Sequence, residues 1–151
     1  MNKINKKGFT IIELLVVVAI IGILSTISVV AFNVARMRNR DTKRLADMKQ
    51  ISTGLDLYFN DNGLYPVGND VTLGVGSYGR LCSTGFTTVT DNCSNIYIGA
   101  VPANPGPNAG TDYKYTRGAS PYTTYDITFT LELKVGKLNS GLRTQNPEGI
   151  K

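Results

Sequence analysis

A chain of 151 residues fits one domain, and the absence of histidine removes the commonest general base and metal ligand. The formal net charge is +5, but Lys3, Lys6 and Lys7 all precede Gly8. Without these three of the 16 basic residues, the balance against 11 acidic ones is +2, a weak argument for a nucleic-acid partner.

Residues 1–8, Met-Asn-Lys-Ile-Asn-Lys-Lys-Gly, are short, basic and end in glycine. Phe9 to Phe32 follows as 24 residues with one charge, Glu13, and no proline. As a helix it is about 36 Å long, enough to cross a bilayer core. Valine and isoleucine are poor helix formers in water, but in lipid a helix is how one segment satisfies its own backbone. A secretory signal has an apolar run of roughly 7–15 residues ending in a small-residue cut site. Here the run is too long, and the Ala-x-Ala-like candidates near Ala31 to Ala35 lie beyond it. A cut after Gly8 instead removes the basic leader and keeps the whole helix. The new amino terminus at Phe9 then stands at i, i+4 from Glu13. A charge at the centre of a span costs at least about 2.5 kcal/mol, less near its ends. Glu13 therefore either snorkels to the interface or awaits a cation.

Gly8-Phe9-Thr10-Ile11-Ile12-Glu13-Leu14-Leu15 resembles the processing and methylation motif of type IV prepilins and type II secretion pseudopilins. The match covers roughly residues 3–32. The resemblance implies that a prepilin peptidase cuts between Gly8 and Phe9. It implies N-methylation of Phe9, and pairing of Glu13 with a neighbouring subunit's amino terminus during assembly. Its implied partners are further copies of the chain in a helical filament, a membrane assembly platform, and the lipid bilayer before assembly. Many pilins carry a proline in the second half of this segment; here there is none. Local melting would have to start at Gly22 or at Ser25 to Ser28.

Arg36, Arg38, Arg40, Lys43 and Arg44 crowd a neck offset only by Asp41. They are read either as contacts to anionic headgroups and neighbouring heads or as a solvated helix face. Counting positive charge does not orient the chain, with three lysines before the span and five basic residues after it. The head is placed outside on the resemblance and on the cysteines.

From Asn33 to Asn62, Leu45, Met48, Ile51, Leu55 and Tyr58 or Phe59 recur at three- and four-residue spacing. That predicts an amphipathic helix continuing the apolar one, with Asp47, Lys49 and Asp56 off the stripe. Gly54 weakens it slightly. Asp61-Asn62-Gly63 is a stop signal with Gly63 left-handed, and Pro66 prevents resumption. Leu64 to Thr111 reads as a long connection with little regular structure early on. In an oxidising compartment Cys82 and Cys93 would form a disulfide; the alternative is two reduced thiols. No further cysteine or histidine is there to complete a metal site. Ile96, Ile98 and Val101 suggest a short strand, ended by Pro102, Pro105 and Pro107. Asp112 to Arg117 and Tyr122 to Val135 predict an antiparallel hairpin, with Ile127, Phe129, Leu131, Leu133 and Val135 on a buried face. The tail from Gly136 carries no predicted element.

Asp61-Asn62-Gly63-Leu64-Tyr65-Pro66, Val101-Pro102-Ala103-Asn104-Pro105 and Tyr113-Lys114-Tyr115 resemble landmarks of major pseudopilins. That subgroup has a calcium site near its carboxy terminus. This tail offers only Glu148, so no metal or other cofactor is carried over.

The fold class is therefore α+β. A long N-terminal helix, 9–32 transmembrane and 33–63 amphipathic, packs on a small antiparallel sheet within a head at 64–151. No catalytic constellation is visible, and Asp56 and Asp61 read as solvated charges. The function is that of a filament subunit, in a type IV pilus or, alternatively, a type II secretion pseudopilus. A monomeric membrane-anchored binding module is the competing class.

Overall fold

A computed structural model describes residues 8–106 and 112–151. The leader before Gly8, and Pro107, lie outside the described residues. The chain forms two compact units, divided after Arg36. Helix α1 spans Ile11–Asn62 without interruption, as the proline-free sequence predicts.

In the first unit every residue from Gly8 to Asn33 is exposed, including Ile11 at 85% and Phe32 at 66%. Ser25, Thr26 and Ser28 donate their hydroxyls to the carbonyls of Ile21, Ile23 and Leu24, at 2.7, 2.7 and 2.9 Å. Each polar side chain is thus satisfied within the helix, as an apolar surrounding requires.

In the second unit, Met48, Ile51, Leu55 and Tyr58 of α1 are buried at the expected spacing. Each aliphatic side chain so buried contributes about 1.5–3 kcal/mol. They share one core with Tyr113, Tyr115, Tyr125, Ile127, Phe129 and Leu131 of an antiparallel sheet. Its strands are β1 (Val71–Thr72), β5 (Lys114–Arg117), β6 (Tyr125–Leu131), β7 (Gly141–Asn146) and β8 (Gly149–Ile150), in that spatial order. A second sheet runs β3 (Gly85–Thr87), β2 (Arg80–Cys82), β4 (Ile96–Ile98). Gly63 ends α1 at φ 71°, and its N–H donates to Phe59 O at 2.7 Å.

Several expectations are corrected. The early part of the connection after Leu64 is not irregular, because it carries β1, β2, β3 and a 3-10 turn at Gly76–Tyr78, whereas β4 is the short strand expected at Ile96 and Ile98. The tail is not featureless, because β7 pairs with β6 from Ile127↔Gln145 to Leu131↔Gly141. Strand β6 ends at Leu131 rather than Val135, for a reason found in the ion cluster below. Gly54 does more than weaken the helix: a Cβ there would collide with the Ile98 side chain. Its bareness lets β4 approach α1.

Candidate assembly site

In the first unit the helix start is built by Thr10 and Glu13. The Thr10 backbone N–H donates to Glu13 Oε2 at 2.8 Å, and the Thr10 hydroxyl donates to the same oxygen at 2.7 Å. The Glu13 N–H donates back to Thr10 Oγ1 at 3.3 Å. This is a capping box, in which two otherwise unpaired helix donors are satisfied reciprocally. A carboxylate in the first turn also complements the helix dipole. In a single copy, then, the hydrogen bonds of Glu13 go to Thr10. Phe9 is 86% exposed, and among the described residues nothing packs within 4 Å of a Cβ built on Gly8. The Thr-x-x-Glu spacing of Thr10 and Glu13 is a capping signal in the sequence itself, beside the i, i+4 relation of Glu13 to Phe9.

In the second unit the reading of five free neck cations is overturned for two of them. Arg44 is 1% exposed and Asp41 is fully buried. Arg44 Nη1 donates to Asp41 Oδ1 and to Glu132 Oε1, both at 2.7 Å. Its Nε donates to Asn104 Oδ1 at 2.9 Å, and its Nη2 to Gly106 O at 3.0 Å. Arg40 grips Glu132 with two bonds, Nε to Oε1 at 2.7 Å and Nη2 to Oε2 at 2.5 Å. Two guanidiniums against two carboxylates leave the cluster neutral, and paired forks satisfy buried charge well. The Arg40 bonds, with those of Arg44, hold the Glu132 carboxyl down at about 2. Asp41 also accepts the backbone N–H groups of Glu132 and Leu133, at 3.0 and 2.8 Å. These amides are turned from ladder to carboxylate, so β6 stops there.

Asp47 is likewise on the buried face, not off the stripe. The Tyr113 hydroxyl donates to its Oδ2 at 2.8 Å. Burial raises the Asp47 carboxyl and outweighs that bond. Asp56 and Asp61 accept the hydroxyls of Tyr65 and Tyr97, at 3.2 and 2.6 Å. Burial and the nearby Asp56 push the Tyr65 phenol up to about 12. Cys82 and Cys93 are joined, with Cα atoms 6.1 Å apart, tying β2 to the loop before β4. Among the described residues no group of three or more His, Cys, Asp or Glu is placed to hold a metal.

Residues 3–29 match the family model described as the prokaryotic N-terminal methylation motif. The chain is 32% identical over 146 residues to the type IV major fimbrial protein FimA of Dichelobacter nodosus, covering 93% of this chain and 86% of the relative. It is 31% identical to the type IV wide pilus major component PilA4 of Thermus thermophilus, over 60% of this chain and 70% of that one. It is 38% identical to the type II secretion system core protein G of Pseudomonas aeruginosa, over 44% of this chain and 46% of that one. The chain spans less than half the length of that last relative. No solved structure matches it significantly.

Proposed function

The chain belongs to the type IV pilin and pseudopilin family, and from that premise we propose that it is a structural subunit of a helical filament. The family is structural, not enzymatic. The observation that carries the proposal is α1 itself: its span from Ile11 to Phe32 is apolar, bare on all sides in one copy, and interrupted by one carboxylate. Such a surface needs lipid or further copies of itself. A monomeric anchor would gain from Glu13 only its capping box with Thr10.

In this reading the precursor sits in the cytoplasmic membrane as a single-pass protein with its head outside. A prepilin peptidase removes residues 1–8, and Phe9 is N-methylated. The chain then leaves the bilayer through a membrane assembly platform and joins a surface or periplasmic filament. There Glu13 exchanges its Thr10 partner for the Phe9 amine of an adjacent copy, which sets the axial register of apolar helices. Arg36, Arg38 and Lys43 remain of the basic neck for headgroups and neighbouring heads, since Arg40 and Arg44 are committed to Glu132 and Asp41.

Mass spectrometry of membrane protein and of purified fibres tests this. The expected mature chain begins at N-methyl-Phe9 and is the main component of fibres seen by electron microscopy. Retention of residues 1–8, with no fibres, would overturn it. The partial similarity to core protein G supports a second reading of the same subunit chemistry, in a secretion pseudopilus. Dependence of protein export, rather than surface fibres, on this chain would select it.

A further inference from the structure

Within the second unit, β6 runs along α1 in the opposite direction. At its start the Tyr125 ring lies 4.7 Å from that of Tyr65, whose hydroxyl donates to Asp56. Just past its end the Glu132 N–H donates to Asp41 at 3.0 Å. The stretch of α1 from Asp41 to Asp56 is roughly 22 Å long, and the strand from Tyr125 to Glu132 roughly 23 Å. The two lengths match. Residues 132–140 join Leu131 to its ladder partner Gly141, so they lie beyond the end of the sheet nearest Met37. That connection is held in shape. Val135 and Leu138 exchange both backbone hydrogen bonds, at 2.9 and 3.0 Å, across Gly136 and Lys137. Gly136 takes the positive φ, 59°, that so tight a turn needs. Arg143 Nε and Nη2 donate to the carbonyls of Asn139 and Ser140, at 3.0 and 3.3 Å. Lys134 and Lys137 stand exposed on this turn, and among the described residues neither forms an ion pair. Asp41 and Glu132, the acids beside it, are already matched by Arg40 and Arg44. With the exposed Arg38, the lysines are three cations against the one exposed acid ahead of β5, Asp112. This end of the unit therefore presents uncompensated positive charge.

We propose that Lys134 and Lys137 bind anionic phospholipid headgroups on the outer face of the bilayer in which the precursor sits. The proposal rests on the membrane-precursor reading above and adds to it a contact made by the sheet. Arg38 follows Phe32 by only about 9 Å of helix. The polar layer of a bilayer is itself several ångström thick, so the neck end of the unit starts at the headgroups. A lysine is drawn to an anionic surface over about one screening length, roughly 8 Å at physiological salt. Its ammonium carries three donors for phosphate oxygens. The turn stands to one side of α1, so its contact sets the tilt of the head against the bilayer. That contact is given up when the chain leaves the membrane. An acidic face on another copy is the competing occupant, and the place of the turn at the neck end favours the headgroups.

Lysine acetylation of the full chain in lipid nanodiscs, read by mass spectrometry, tests the contact. In phosphatidylglycerol discs Lys134 and Lys137 should react at least roughly threefold more slowly than in phosphatidylcholine discs. Lys49 and Lys151, exposed but farther from the neck, should react alike in both. Salt at about 1 M, where the screening length falls to about 3 Å, should remove the difference. In parallel, a fluorophore on Asn139→Cys should transfer energy to a headgroup-labelled lipid more strongly in phosphatidylglycerol discs. Lys134→Glu with Lys137→Glu should abolish that gain and leave the melting temperature unchanged, since both side chains are exposed. Equal acetylation in the two lipids, or energy transfer indifferent to the charge reversal, overturns the contact alone. Slowing seen only in filaments gives the turn to another copy and overturns it too. A chain that inserts into neither disc overturns the membrane reading and this contact with it.

Discussion

The carboxylate of Asp41 and the backbone N–H of Leu133 lie 2.8 Å apart, and β6 stops because of it. The same carboxylate receives Arg44 from the next turn of α1. One residue thereby ends a strand, neutralises a buried guanidinium and fastens helix to sheet. Replacing Asp41 with alanine leaves Arg44 buried with a reduced complement and two amides unpaired. The expected loss is about 3–5 kcal/mol in chemical denaturation of the full chain in detergent. A loss under about 1 kcal/mol would show that the cluster is decorative.

The cluster also sets an acid response. The Glu132 carboxyl lies at about 2 in the folded chain, below its ordinary 4.5. A depressed carboxyl contributes stability that is complete above the unfolded value and is lost as pH falls through the folded one. Stability from Glu132 should therefore decline between about pH 4.5 and pH 2. Asp47 acts in the opposite sense, since burial raises it and acid relieves that cost. Melting temperatures across this range should fall more steeply for the wild type than for Glu132→Gln. Parallel curves would mean that Glu132 carries no linked proton.

Much of this architecture was legible in the sequence, and the misses share a physical cause. The apolar run, the Met48–Ile51–Leu55 stripe, Gly63 and the β5–β6 hairpin announce themselves through apolar periodicity. Periodicity of hydrophobicity cannot see a buried face continued by charge. Asp41, Arg44 and Asp47 extend that stripe at the same spacing, but charges read as solvated unless their partners are known. Those partners are Glu132, Asn104 and Tyr113, all more than 50 residues away. Strand β7 hides for the inverse reason. Its Leu142 is 68% exposed and its Gln145 is buried, so alternation points the wrong way. The Thr10–Glu13 box needed no distant partner and could have been found from spacing alone.

Gly54 offers a test of close approach. Alanine there should gain up to about 1 kcal/mol of helix propensity. It also places a Cβ against Ile98, and overpacking of this kind costs about 1–3 kcal/mol. The net change should be destabilising in the wild-type background. With Ile98→Ala already in place, the same Gly54→Ala change should become neutral or stabilising. Equal effects in both backgrounds would separate Gly54 from Ile98.

Glu13 has two separable roles. In one copy its carboxylate closes a capping box with Thr10, through three hydrogen bonds. In a filament of lipid-free helices it is proposed to pair with the Phe9 amine of a neighbour. Cap and charge respond to different substitutions. Thr10→Val keeps the shape and the backbone N–H but removes the hydroxyl, so it weakens the box by about 1 kcal/mol and leaves the charge. Glu13→Val removes both, and leaves the neighbour's amine unpaired at a cost of about 3–5 kcal/mol per subunit. Glu13→Gln keeps hydrogen bonding to Thr10 without charge. All three should insert and lose the leader normally, because the proposed cut after Gly8 is untouched. Fibre yield by electron microscopy should then be near normal for Thr10→Val, intermediate for Glu13→Gln and lowest for Glu13→Val. Fibres of Glu13→Val as abundant and ordered as wild type would sink the pairing role. A Thr10→Val chain as defective as Glu13→Val would make the cap, rather than the charge, the quantity that assembly requires.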